Sequence, residues 1–478
     1  MSDQLAGKHG VGPRFWEQNA PRTVRRANFW VPGPRYSANG QSYQRGPMFV
    51  EWEAPPEVTR PYPIVLVHGG AVQGTEWTIT PDGRPGWSQR LVDAGYVVLV
   101  VDRPTQGRSP FHPDVVGAMG PPFSYEEGRK VFFPAEAAEK QTQWPFDPDG
   151  DGPTLDAFIA AYGPLPVDIA GWQEMDADRL ADLLDQIGPA IVMTHSASGA
   201  DGWLVADRRP QLVAAIVTVE PMGPPFATTP NIGTLSFGLT AAPITFDPPL
   251  SFAEQVQAAD PASLRIPALT DLPVAVVSGE TSPQAKAAHE TVAFLAMAGA
   301  AVDHIHLPNH GVFGNGHGLI YEMNSDAALQ PVLDWLIEHT PVASSADAES
   351  RHENDPRSGT PQPRRRDSLE NSAHGAPADG TTMFVTYAGD ADTRFDRDYF
   401  VNAHLPLVME AWSPYGLLGV SALFPDGHQQ GVIAVAVCRF RDAAAVTSAL
   451  AAPRSAEVMA DVTNYTDSEP IQSRGVRP

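Results

Sequence analysis

Between Pro63 and His339, short apolar runs alternate with segments of helical apolar spacing, and few architectures accept that alternation. The runs Pro63–Val67, Tyr96–Val101, Ala190–Thr194, Ala214–Val219, Pro273–Ser278 and Val302–Leu307 read as strands. Trp87–Ala94, Gln173–Ile187, Gly199–Asp207, Gln284–Ala298 and Ala327–His339 read as helices between them. Strands and helices in that order build a parallel α/β sheet. Val24–Val31 and Met48–Trp52 add an antiparallel opening hairpin. Two connections, about 104–171 and 221–271, are longer than compact domains usually carry, so both are expected to be caps. The first holds Phe111, Phe123, Tyr125, Phe132, Phe133, Trp144, Phe146 and Tyr162. These aromatics either pack the cap onto the body or wall an apolar pocket.

The stretch 341–380 breaks the pattern. It has no aromatic residue, and Val342 and Leu369 are its only large aliphatics, so it is expected to be a flexible linker. Neighbouring acids largely neutralise Arg364, Arg365 and Arg366. The linker divides a domain at 1–340 from one at 381–478. In the latter, Met383–Ala388, Leu417–Phe424, Val432–Phe440 and Tyr465–Gln472 read as strands. Arg394–Trp412 and Asp442–Ala460 read as helices, giving the βαββαβ order of an α+β ferredoxin-like domain.

Composition excludes several functions. Lys and Arg number 32 against 56 Asp and Glu, a net charge of −24, which repels nucleic acid and anionic membrane surfaces. The single Cys438 leaves no intrachain disulfide and no cysteine-based zinc site. With no apolar core in the first ten residues and no apolar run near membrane-spanning length, a soluble cytoplasmic protein is expected.

The chemistry concentrates at Ile191–Gly199, where a buried strand enters a sharp turn at Ser196 and a helix leaves through Gly199. That is the pattern of a nucleophile elbow, although Thr194 and Ser198 stand where glycines are usual. Val67–Ala71 follows the first central strand, and its glycines allow a backbone N–H to face a reacting carbonyl. Gly70 and Ala197 are the expected oxyanion donors, with Ala71 the nearest competitor. The base must come from a loop after the last strand, where His304, His306, His310 and His317 are candidates. His304 and His306 alternate on a strand as packed or edge residues, and His317, before the closing helix, is preferred to His310. Either Glu220, ending the strand Ile216–Val219, or Glu280, following Val276–Gly279, could orient the histidine; the residues alone leave both open.

With these residues in hand, the region 63–335 resembles a small family of bacterial esterases within the α/β-hydrolase superfamily. The shared stretches are Val67–Trp87, Gly95–Ser109, Thr194–Gly199, Val219–Pro225 and Gly311–His317. The resemblance implies an α/β-hydrolase fold with Ser196 as nucleophile, His317 as base, Glu220 as acid and Gly70 as the first oxyanion amide. Gly70 and Ala71 stand where members of that family can carry cysteines. Residues 382–478 resemble the EthD family of ferredoxin-like domains through Met383–Tyr387 and Phe395–Leu407, which implies a homodimer paired through 381–478. His404 is a candidate acid–base there, although a structural role fits a helix histidine better.

The reading is a serine carboxylic-ester hydrolase acting through an acyl-enzyme on a small apolar or aromatic ester, with no cofactor and no metal. Alternatives are a bifunctional protein whose EthD-like domain transforms an aromatic or polyketide-like compound, or a non-catalytic ligand receptor.

Overall fold

The computed structural model describes residues 20–38, 40–112, 117–145, 152–229, 232–250, 252–341, 381–390, 393–424 and 431–475. Of the expected linker, 342–380 lies outside the described residues. The chain divides into two compact units, Met1–Pro34 with Gln44–Ser358 and Arg35–Tyr43 with Gly359–Pro478.

The larger unit is built on one sheet of β1 (Arg25–Val31), β2 (Met48–Ala54), β3 (Ile64–Val67), β4 (Val98–Asp102), β5 (Ala190–His195), β6 (Val213–Val219), β7 (Pro273–Ser278) and β8 (Ala301–His306). Their order is β1-β2-β4-β3-β5-β6-β7-β8; β1, β2 and β4 pair antiparallel, and from β4 to β8 neighbours are parallel. Successive residues of a strand face opposite sides, and the core divides accordingly. Val65, Val67, Val192, Ile216 and Val276 pack with Leu180 and Leu184 of α4 (Ile169–Ile187), Leu204 of α5 (Gly199–Arg208) and Leu295 of α7 (Pro283–Ala298). Ile64, Leu66, Ile191, Met193, Val217 and Val277 pack with Leu91 of α1 (Trp87–Asp93) and Leu329 and Val332 of α8 (Ser325–His339). This doubly covered, mostly parallel sheet is the α/β-hydrolase fold.

Register brings the chemistry to one edge. Val67 lies opposite Thr194, and His195 lies opposite Val219. The residues after β3, β5 and β6, namely Gly69–Gly70, Ser196 and Glu220, therefore emerge together at the carboxyl ends of the strands, where open α/β sheets hold their ligands.

The connection 104–171 contains α2 (Tyr125–Phe132) and α3 (Pro153–Ile159), and 221–271 contains α6 (Ala253–Ala258) and a short hairpin of Thr228–Thr229 with Gly233–Thr234. Phe132, Phe133, Trp144 and Phe158 are buried together with Leu319 and Tyr321. Phe111 and Tyr125 are exposed, and Phe146 lies outside the described residues.

The smaller unit has four antiparallel strands, β9 (Thr381–Gly389), β10 (Leu417–Leu423), β11 (Gly431–Phe440) and β12 (Pro470–Gly475), in the order β10-β11-β9-β12. Met383, Val385 and Tyr387 bury one sheet face with Leu405, Val408 and Trp412 of α9 (Leu405–Trp412). The single helix expected over 442–460 is two, α10 (Ala443–Leu450) and α11 (Ser455–Tyr465). Pro453 lies in the break, where it cannot donate a helix hydrogen bond. The last strand correspondingly starts at Pro470 rather than Tyr465.

Candidate active site

Ser196 has φ +56, a left-handed conformation that a serine adopts only when its surroundings impose it. The two hydroxyl residues in the usual glycine positions both find partners. Thr194 Oγ1 donates to Thr218 Oγ1 on the neighbouring strand at 2.9 Å. Ser198 Oγ accepts from His195 N–H at 3.0 Å and reaches the carbonyls of Val67 and His195 at 3.0 and 2.9 Å. Small size is demanded instead at Gly199, where a Cβ would meet Pro221 at 2.9 Å.

Three expected side chains come together. His317 Nε2 lies 2.9 Å from Ser196 Oγ, and His317 Nδ1 lies 3.4 Å from Glu220 Oε2. The second contact is longer than an ordinary hydrogen bond. The carboxylate already accepts from Gly279 N–H at 2.5 Å and from the Ser282 hydroxyl. Glu220 and His317 are buried, and Glu220 takes φ +51 as it leaves β6. Glu280 is elsewhere: its carboxylate accepts from Gly314 N–H at 2.9 Å and so holds the histidine loop rather than the ring. His310 is exposed at the end of a short helical turn, Leu307–His310. His304 Nε2 and His306 Nδ1 lie 2.9 and 3.0 Å from Ser278 Oγ. Among the described residues no cluster could hold a metal ion.

Gly70 and Ala197 are neighbours, since a Cβ on Gly70 would stand 3.1 Å from that of Ala197. Ala197 lies in the first helical turn after the elbow, where N–H groups lack acceptors within the helix. Ala71, the competing donor, has φ +62.

Other polar groups at the site carried no sequence signal of their own. Glu76 accepts from Gly69 N–H at 2.8 Å and lies 3.2 Å from His195 Nδ1; His195 Nε2 lies 3.1 Å from the His317 carbonyl oxygen. Burial opposes a charge on His195, but the Glu76 carboxylate, the His317 carbonyl and Glu220 together outweigh it and raise the ring above its ordinary value. Glu322 is buried behind the histidine loop, bonded by Asn315 Nδ2 at 2.7 Å and Gly316 N–H at 2.9 Å, and burial pushes its carboxyl up to about 7. Only the charge at the end of the apolar run Gly318–Glu322 could have flagged it.

Two apolar cavities flank these residues. One of about 260 Å³ is lined by Val72, Glu76, Ile79, Phe158, Tyr162 and Tyr321. The other, about 250 Å³, is lined mainly by Ala71, Phe123, Val131, Leu165 and Ile232, with Glu127 and Lys130 also on its wall. The rings of Phe123 and Tyr162 stack at 4.6 Å, one lining each cavity. In the smaller unit, His404 Nδ1 lies 2.8 Å from Asp461 Oδ2, and the ring stacks on Phe400. The cavity at His404 is about 20 Å³, close to the space of one water.

No family model matches the chain. It is 34% identical over 322 residues to the probable secreted lipase phiG of a fungal species (strain ATCC 74256), covering 62% of this chain and 87% of that one. Its fold is similar to that of a solved bacterial esterase, with a TM-score of 0.51 and 24% identity over 67% of this chain and 98% of the other. An EthD-like protein from Ralstonia eutropha aligns with 20% of this chain and 91% of its own, at 20% identity and a TM-score of 0.19. The chain belongs to the family of that lipase, carboxylic-ester hydrolases on the α/β-hydrolase fold.

Proposed function

We propose that the protein hydrolyses small apolar or aromatic esters through an acyl-enzyme on Ser196. Ser196 Oγ attacks the ester carbonyl as His317 Nε2 takes its proton, and Glu220 stabilises the imidazolium. The N–H groups of Gly70 and Ala197 receive the oxyanion. His317 returns the proton to the departing alcohol, then activates water to release the acid. The observation that carries this reading is the 2.9 Å approach of His317 Nε2 to a serine held at φ +56. A fluorophosphonate should label Ser196 and stop ester turnover in proportion; turnover that survives full labelling would remove the scheme.

The pH profile provides a second test. Burial lowers the His317 ring below its ordinary value of 6.5, more than Glu220 raises it. A base must be neutral to accept the serine proton, so activity is lost as pH falls through this lowered value. The acid limb of kcat/KM should therefore lie below pH 6.5, and a limb above it would contradict the assignment of His317.

The flanking cavities, walled by Phe158, Tyr162 and Tyr321 on one side and Phe123, Leu165 and Ile232 on the other, support an apolar substrate. Pairing of two copies through 381–478 is supported by the sheet face opposite α9. There Leu423, Val435, Thr386 and Ile471 stand in one cross-strand row, with Leu423 and Ile471 exposed by 58% and 59%. Sedimentation should give a dimer that Leu423→Lys with Ile471→Lys dissociates; a wild-type monomer would end this part of the proposal.

A further inference from the structure

Polar groups outside the proposed relay converge on one peptide unit, the one that joins Gly69 to Gly70. Its carbonyl oxygen lies 2.9 Å from His68 Nδ1 and 3.3 Å from Arg103 Nη1. His68 Nε2 accepts from Arg103 N–H at 3.0 Å, so the ring proton resides on Nδ1 and is donated to Gly69 O. Burial, with the Arg103 charge beside it, holds His68 down at about 4, and the neutral tautomer persists at pH 7.

Arg103 is itself fixed. Its Nε and Nη2 donate to Asp176 Oδ2 at 2.9 and 2.6 Å, Nη2 lies 3.1 Å from Asp201 Oδ2, and the guanidinium lies 3.9 Å above the Trp172 ring. Arg103, Asp176 and Asp201 are all buried, and burial raises the carboxyls of both aspartates above their ordinary value. Asp176 belongs to α4 and Asp201 to α5, the helix leaving the elbow. Arg103 is thus hydrogen-bonded to α4 and lies against α5, the helix that leaves the elbow, without a hydrogen bond to Asp201.

A peptide unit is planar and trans, so its C=O and N–H point in opposite directions. Whatever grips the Gly69 carbonyl also aims the Gly70 N–H. We propose that Arg103 and His68 are positioning residues of the oxyanion hole, holding the Gly69–Gly70 peptide so that the Gly70 N–H meets the developing alkoxide. Glu76 holds the preceding N–H of Gly69 at 2.8 Å, which anchors the loop from the other side. Burying an arginine with two aspartates is weak evidence for stability, because well-packed apolar side chains often do as well. A donor set rigid enough to fix a peptide plane is what the polar cluster adds.

The inference rests on Ser196 as nucleophile and Gly70 as donor, and the test separates the two levels. In the full chain, His68→Leu and Arg103→Lys each remove one bond to Gly69 O. The lysine keeps a positive charge opposite Asp176 but has no second arm. An alkyl trifluoromethyl ketone is the probe: Ser196 Oγ adds to its carbonyl carbon as the serine proton passes to His317 Nε2, and the carbonyl oxygen becomes an alkoxide in the oxyanion hole. Each variant should lose about ten- to hundredfold in kcat, less than deleting a donor outright. KM should change by less than about threefold, and ketone affinity should fall in step with kcat/KM. A folded variant with unchanged kcat and ketone affinity, or with a raised KM alone, would overturn the proposal. If neither variant folds, the cluster is scaffold and the proposal falls. A wild-type enzyme indifferent to the ketone would instead overturn the reading of Ser196 and Gly70.

Discussion

Ser196→Ala should lower ester turnover by on the order of 10⁴–10⁶-fold, the scale seen when a serine hydrolase loses its nucleophile. Folding should survive. The substitution removes one hydroxyl, 2.9 Å from His317 Nε2, and leaves the elbow hydrogen bonds of Thr194 and Ser198 in place. A single hydrogen bond contributes about 0.5–1.5 kcal/mol net. Alanine does not relieve the strain at φ +56, so no compensating gain in stability is expected. Circular dichroism and the melting temperature should stay near those of wild type while turnover of a nitrophenyl ester disappears. Retention of most of the activity by a folded Ser196→Ala protein would move the nucleophile elsewhere.

The strands were legible because burial on both faces leaves continuous apolar runs such as Ile64–Val67 and Ala190–Thr194. The elbow was legible despite Thr194 and Ser198, because strand, turn and helix follow one another without a gap. The reason those residues are tolerated was not legible: each hydroxyl answers a group on a neighbouring strand, Thr218 or the Val67 carbonyl. Glu76 and Glu322 were missed for the same reason. An isolated acid in a short turn has no periodicity, and its role exists only once Gly69 or Gly316 is brought to it. The helical apolar spacing over 442–460 runs across Pro453, where the chain breaks into two helices.

The choice between the two acids is where fold outweighs local sequence. Glu220 and Glu280 both follow strands, yet only Glu220 reaches His317, while Glu280 answers Gly314. Glu220→Gln should lower kcat by about 10⁴-fold at neutral pH, as removal of the orienting carboxylate does in a serine protease. The local geometry explains why. Gly279 N–H and the Ser282 hydroxyl both donate to the carboxylate. In the glutamine, the amide oxygen is needed by Gly279, which leaves the NH₂ facing Ser282 and His317 Nδ1. That nitrogen must then accept, and the ring proton moves to Nε2, where it blocks transfer from Ser196 Oγ. Glu280→Gln keeps an oxygen for Gly314 N–H and should change kcat by less than about threefold. Steady-state kinetics of the two variants decide the matter: a crippled Glu280→Gln beside a nearly normal Glu220→Gln would place the acid after β7 instead of β6.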